Sequence, residues 1–151
     1  MRLAALACYF PHASIALHMD AEACRAGLLL AIHQDMSAID LESDCSLVIT
    51  ALHHNVEDRS EIGSIIDDCK SYLTSFHPFQ VRHIFREANG AAKRLAHLAS
   101  CNYIFDVWLE ETPIIIRDVL YKDSCTDARG QGFMSPSKRL VHSNIISQAW
   151  G

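Results

Sequence analysis

The apolar residues of this chain change period repeatedly, and that alternation limits the available folds more than any other feature. Residues 2–10 form an apolar strand-like run, ended by Pro11 and a polar turn at residues 12–14. Met19, Ala23, Ala26 and Leu30 then recur at helical spacing, one stripe of a helix that reaches about His33. Residues 38–42 alternate and read as a strand. Ser43 or Asp44 can cap a helix through Leu47, Val48, Ala51 and Leu52, and Ser60 can cap another. That next helix carries Ile62, Ile65, Ile66, Cys69, Leu73 and Phe76, and Pro78 marks its end. Residues 80–85 suit a further strand, and Asn89 can cap a last helix bearing Ala92, Leu95, Ala96 and Ala99. The order is strand, helix, strand, helix, helix, strand, helix. That is an α/β pattern.

Composition narrows the function classes. Half of the 151 residues are hydrophobic and 21% are charged, which suits a folded domain rather than a disordered chain. The formal net charge is −5, so nucleic-acid binding has to come from a local basic patch. The six cysteines lie at 8, 24, 45, 69, 101 and 125, without a Cys-x-x-Cys pair. Such spacing favours reduced, mostly buried thiols over a zinc site or a disulfide scaffold. The apolar start imitates a signal peptide, but Pro11 and His12 interrupt it, and no run is long enough to span a membrane. The chain therefore reads as soluble, intracellular and unexported.

Three stretches, in order, carry a family resemblance. The first is Leu17, His18, Met19, Asp20, Ala21, Glu22 and Ala23, leading into a helix. The second is a strand end, Leu41, Glu42, Ser43, Asp44 and Cys45. The third is Val81, Arg82, His83, Ile84, Phe85, Arg86, Glu87, Ala88 and Asn89, running into Gly90, Ala91, Ala92, Lys93, Arg94, Leu95 and Ala96. Over residues 1–105 the chain resembles the ribonuclease H-like domain of plant proteins related to the reverse transcriptases of non-LTR retrotransposons.

The resemblance implies a mixed sheet with flanking helices, here missing its first two strands. Residues 2–10 would then lack a pairing partner, and the strand at 38–42 would have an open edge. It also implies an ancestral magnesium-dependent hydrolysis of the RNA strand of an RNA–DNA hybrid, driven by four carboxylates around two ions. The family's helix glutamate falls on Glu22 and its strand-end aspartate on Asp44, so these would be the surviving metal ligands and catalytic residues. The family's first aspartate has no counterpart, and its last falls on Lys93. A lysine about 4 Å from a divalent ion would repel it by up to ~8 kcal/mol at an effective dielectric of ~20. The expected state is a catalytically dead, nucleic-acid-binding domain.

Arg82, Arg86, Asn89 and Arg94 are the candidate contacts to a hybrid or duplex. The plainer reading of the arginines is a solvated face paired with Glu87. His53, His54 and His77 read as surface residues, and His83 as structural. Two alternatives remain: an active ribonuclease H in a longer chain, or a metal-independent nucleic-acid or protein-binding module. A relic without a stable fold is a third. Residues 106–122 read as a C-terminal packing segment, and within it the run Ile114, Ile115 and Ile116 reads as a short strand or packing segment. Residues 123–151 read as a disordered tail. Oligomeric state is left open.

Overall fold

The computed structural model describes residues 4–8, 15–55, 57, 59–102, 105–109, 111–127 and 140–142. The elements run β1 (Ala4–Cys8), α1 (Ala16–His33), β2 (Ile39–Ser43), α2 (Ser46–His53), α3 (Gly63–Leu73) and β3 (Phe79–His83). After a 3-10 turn at Arg86–Ala88 come α4 (Gly90–Asn102), β4 (Phe105–Leu109), a second 3-10 turn at Ile114–Ile116, α5 (Arg117–Asp127) and β5 (Leu140–His142). The seven elements expected from periodicity are all present.

Their caps differ from expectation. Cys45 and Ile62 occupy the N-cap positions of α2 and α3, and neither side chain makes a capping hydrogen bond. Ser43 stands two residues earlier and accepts the Cys45 N–H on its hydroxyl, at 3.1 Å. It therefore shapes the turn and not the helix. At the far end of α1, the Met36 N–H reaches the Ala31 carbonyl and the Asp35 N–H reaches that of Ile32. This is the double closure that ends many helices, and it places Asp35 in the left-handed region at φ 52.

β2 lies between two parallel neighbours, β3 on one side and β5 on the other. β1 pairs with β4 antiparallel, from Ala4 opposite Leu109 to Cys8 opposite Phe105. Two expectations are corrected here. Residues 4–8 have a partner, and β2 has no open edge, because both ladders recruit later parts of the chain. The physical reason is that bare strand edges leave backbone groups unpaired, so any nearby extended segment gains by filling them. Within the stretch read as a tail, α5 runs on through residues 123–127 and residues 140–142 pair with β2. The rest of that stretch lies outside the described residues. The three isoleucines form a 3-10 turn closed by the Ile116 N–H on the Pro113 carbonyl, and Ile116 is buried. The run forms a turn and not a strand.

α1 is buried on two sides. Ala21, Cys24, Leu28 and Ala31 join Ile39, Leu41, Val48, Ile66, Cys69 and Phe76 in one core. Ala23, Ala26 and Leu30, from the stripe read in the sequence, meet Leu6, Ala7, Leu95, Ala99 and Ile116 in a second. Two apolar faces leave α1 only narrow strips for charge. Its acidic residues therefore meet specific partners.

Candidate functional site

The strip along β2 is the first place where charge is enclosed. In a strand, successive side chains point to opposite faces. Ile39 and Leu41 enter the core, so Asp40 and Glu42 project to the other face, both buried. Register sets Arg82 of β3 opposite Glu42. Its guanidinium donates to Glu42 Oε1 at 2.6 Å and lies 3.9 Å from Asp40 Oδ2. Arg82 is thus held by two carboxylates of its own sheet.

Asp44 follows at the end of β2. The chain beyond β3 folds back over it, starting with the Ile84 N–H on the Ser43 carbonyl at 2.9 Å. Arg86 then donates through Nε to Asp44 Oδ2, and Asn89 donates through Nδ2 to Oδ1, both at 3.3 Å. His83 places a ring nitrogen 3.3 Å from the Asp44 carbonyl. Asn89 is almost wholly buried, and its Oδ1 has no hydrogen-bond partner among the described residues. A buried acceptor left in this way costs about 1–3 kcal/mol.

A second carboxylate reaches the same corner from α1. Burial pushes Asp20 up to about 6; a Cys45 hydrogen bond opposes this, the Asp44 charge adds to it, and Arg86 again opposes it. The neighbouring Cys45 thiol is itself raised to about 11, mainly by burial. Asp20 lies in the first of the three stretches, but the sequence pattern gives it no role of its own. Its signal is its position two residues before Glu22.

Glu22 stands in a different environment. Both of its oxygens accept from Arg25 Nη2, at 2.7 and 2.6 Å, and His18 lies 3.7 Å away. Arg25 in turn donates to Asp68 of α3 at 3.0 Å. The Cys8 thiol of β1 is raised by burial first and by the Glu22 charge second. Residues two apart on a helix point about 200° from each other. With Asp20 directed at Asp44, Glu22 is turned toward α3 and β1.

The remaining candidates divide in the same way. Arg86, Asn89 and Asp44 come together. Arg94 instead bonds the Ile115 carbonyl and Asp118 of α5, and this hydrogen bond holds the Asp118 carboxyl below its ordinary range. Lys93 is exposed one turn after Asn89, and no ion pair engages it among the described residues. No pairing of these cations with Glu87 is present among the described residues. Arg82 sits on Asp40 and Glu42, Arg86 on Asp44 and Arg94 on Asp118, not on one open basic face.

Could this donor set hold the magnesium that the resemblance implies? Magnesium needs several oxygens free to converge at about 2.1 Å. Glu22 has both oxygens on Arg25, and Asp44 has one on Arg86 and one on Asn89. Among the described residues, no three His, Cys, Asp or Glu side chains gather to hold a metal. The described residues do not fit a two-magnesium centre.

The strand-end aspartate, the return loop with Arg86 and Asn89, and the long helix α1 lie in the stretch matched by one family profile. That profile, described as reverse transcriptase-like, matches residues 3–99. The chain belongs to this family. The mixed α/β architecture, small sheets with flanking helices, is consistent with the family's ribonuclease H-like fold. Neither a curated protein nor a solved structure matched the chain. No helix among the described residues is long and apolar enough to cross a membrane.

Proposed function

We propose that this reverse transcriptase-like domain binds nucleic acid through the Asp44 corner and does not cleave it. One observation carries the reading: Asp44 is already bonded to Arg86 and Asn89, while Arg86 is exposed and Lys93 is exposed one turn after Asn89. A guanidinium beside the carboxylate supplies the positive charge that a divalent ion would otherwise bring. Phosphates on a hybrid or duplex are the natural counterions for Arg86 and Lys93, whose charges are more accessible than those of Arg82 and Arg94. Phe85, among the most exposed large apolar side chains, adds a hydrophobic contact next to Arg86.

Lys93 supports the loss of hydrolysis, because it brings positive charge to the position where the family's last aspartate is expected. Glu22 and Asp44 are the inherited positions of that chemistry, with Glu22 now serving the α1–α3 contact. The test is anisotropy with a labelled RNA–DNA hybrid, with and without magnesium, alongside a cleavage assay. Binding should fall with salt and ignore magnesium, and Arg86→Ala should weaken it. Magnesium-dependent cleavage that Asp44→Asn abolishes would overturn the proposal.

A further inference from the structure

The outer edge of β3, on the side of the sheet covered by α2 and α3, carries a groove of about 500 Å³. Its floor is apolar, formed by Leu52, Leu73 and Val81, and Phe79 stands at one end with nearly half its surface exposed. Lys70, His53 and Asn55 form the polar rim on the helix side, and Gln80 and Arg82 border it along the strand. The volume falls within the range of small-ligand sites, which combine an apolar bed with a few placed polar groups.

The chemistry of the rim is specific. Lys70 donates one ammonium hydrogen to the His54 carbonyl at 2.6 Å and has no carboxylate partner among the described residues. An ammonium has three donors, so this cation retains capacity for an anion. His53 lies with Nε2 3.0 Å from the Val81 carbonyl. A carbonyl only accepts, so Nε2 carries the hydrogen and a neutral ring keeps Nδ1 as an acceptor. Asn55 adds a paired amide donor and acceptor of the kind that reads a base edge. The same His53 contact takes up the outward Val81 carbonyl, which blocks the edge against an added peptide strand.

Building on the nucleic-acid reading above, we infer that this groove is a subsite for one unpaired nucleotide of a single-stranded nucleic acid. The base stacks on Phe79, its edge faces His53 and Asn55, and its phosphate meets Lys70. A duplex keeps its bases stacked inside and offers none to such a groove, whereas a single strand can splay one out. The Asp44 corner and this groove then engage different forms of nucleic acid.

The experiment measures anisotropy of a fluorescein-labelled oligoadenylate and of a labelled RNA–DNA hybrid on the full chain, between about 50 and 200 mM salt. Phe79→Ala should weaken oligoadenylate binding about tenfold or more, the loss expected for one stacked base. Hybrid binding should change less than about twofold, given the separation of the two surfaces. Phe79→Trp should restore the single strand, which separates stacking from folding. Lys70→Met should lower the salt slope for the single strand by about 0.7, one phosphate's worth. Equal oligoadenylate binding by Phe79→Ala and the unaltered chain overturns the inference, as does equal weakening of both ligands. If only the hybrid binds, the groove proposal falls and the nucleic-acid reading stands. If neither binds, both fall.

Discussion

Glu22 and Asp44 are each held by an arginine, yet the two surroundings are balanced differently. Around Glu22, two carboxylates share Arg25, a histidine lies beside Glu22, and every Glu22 oxygen is bonded. Around Asp44, one arginine meets Asp44 at 3.3 Å and acts on Asp20 by charge alone, and a buried amide oxygen has no partner among the described residues. The first arrangement joins α1 to α3. The second is an under-satisfied corner, and such corners are where function tends to reside.

The largest expected effect tests the first array. Arg25→Met removes the shared cation and leaves Glu22, mostly enclosed, without its bidentate partner. Breaking a fully buried pair costs about 3–5 kcal/mol, and partial exposure should reduce this to about 1–3 kcal/mol. Urea denaturation measures it, and an unchanged midpoint would erase the contrast between the two regions.

Next comes Asp20, where the sign reverses. Its folded pKa of about 6 lies above the ordinary 3.8, so the folded state holds the proton more tightly. Its contribution is therefore most favourable below about pH 4 and is lost as pH rises through about 6. A shift of two units corresponds to roughly 3 kcal/mol, which partial exposure reduces to about 1–2. Asp20→Asn should accordingly stabilise the protein by about that amount at pH 7. The gain should vanish near pH 4, as followed by urea melts across the pH range. A loss of stability at pH 7 would mean that the corner is satisfied after all.

Arg86→Ala sharpens the comparison from the other side. Its pair with Asp44 is largely exposed at the arginine end, so stability should change by less than about 1 kcal/mol. Hybrid affinity should fall far more visibly in the anisotropy assay. Asp35→Gly, remote from both regions, should add about 0.5–1 kcal/mol by placing glycine where φ is positive. Thermal melts would show it, and its additivity with Asp20→Asn would confirm that the corner is a local feature.

Much of the order of elements was legible in the sequence because each has its own apolar period. Met19, Ala23, Ala26 and Leu30 identified α1, and the Ile65, Ile66 and Cys69 stripe identified α3. The caps were less legible, since Ser43, Ser60 and their neighbours offer equivalent hydroxyls within two residues. At the candidate site, Asp44, Arg86 and Asn89 were all named from the sequence, and the fold brings them together. Asp20 was not, because a lone aspartate at the start of a helix carries no periodic signature.

What local pattern could not express was who pairs with whom. β5 is three residues long, too short for any period, and joins β2 because an edge beside it was available. β1 finds β4 nearly a hundred residues away for the same reason. The orientation of Glu22 likewise depends on tertiary neighbours, since helix geometry separates it from Asp20 but does not say which face meets Asp44. The sequence by itself determined seven of the elements, their order and the chemical types at the strand end. Only the tertiary structure decided which carboxylate Arg25, Arg82 and Arg86 each neutralise, because a charge is assigned by distance in space and not along the chain.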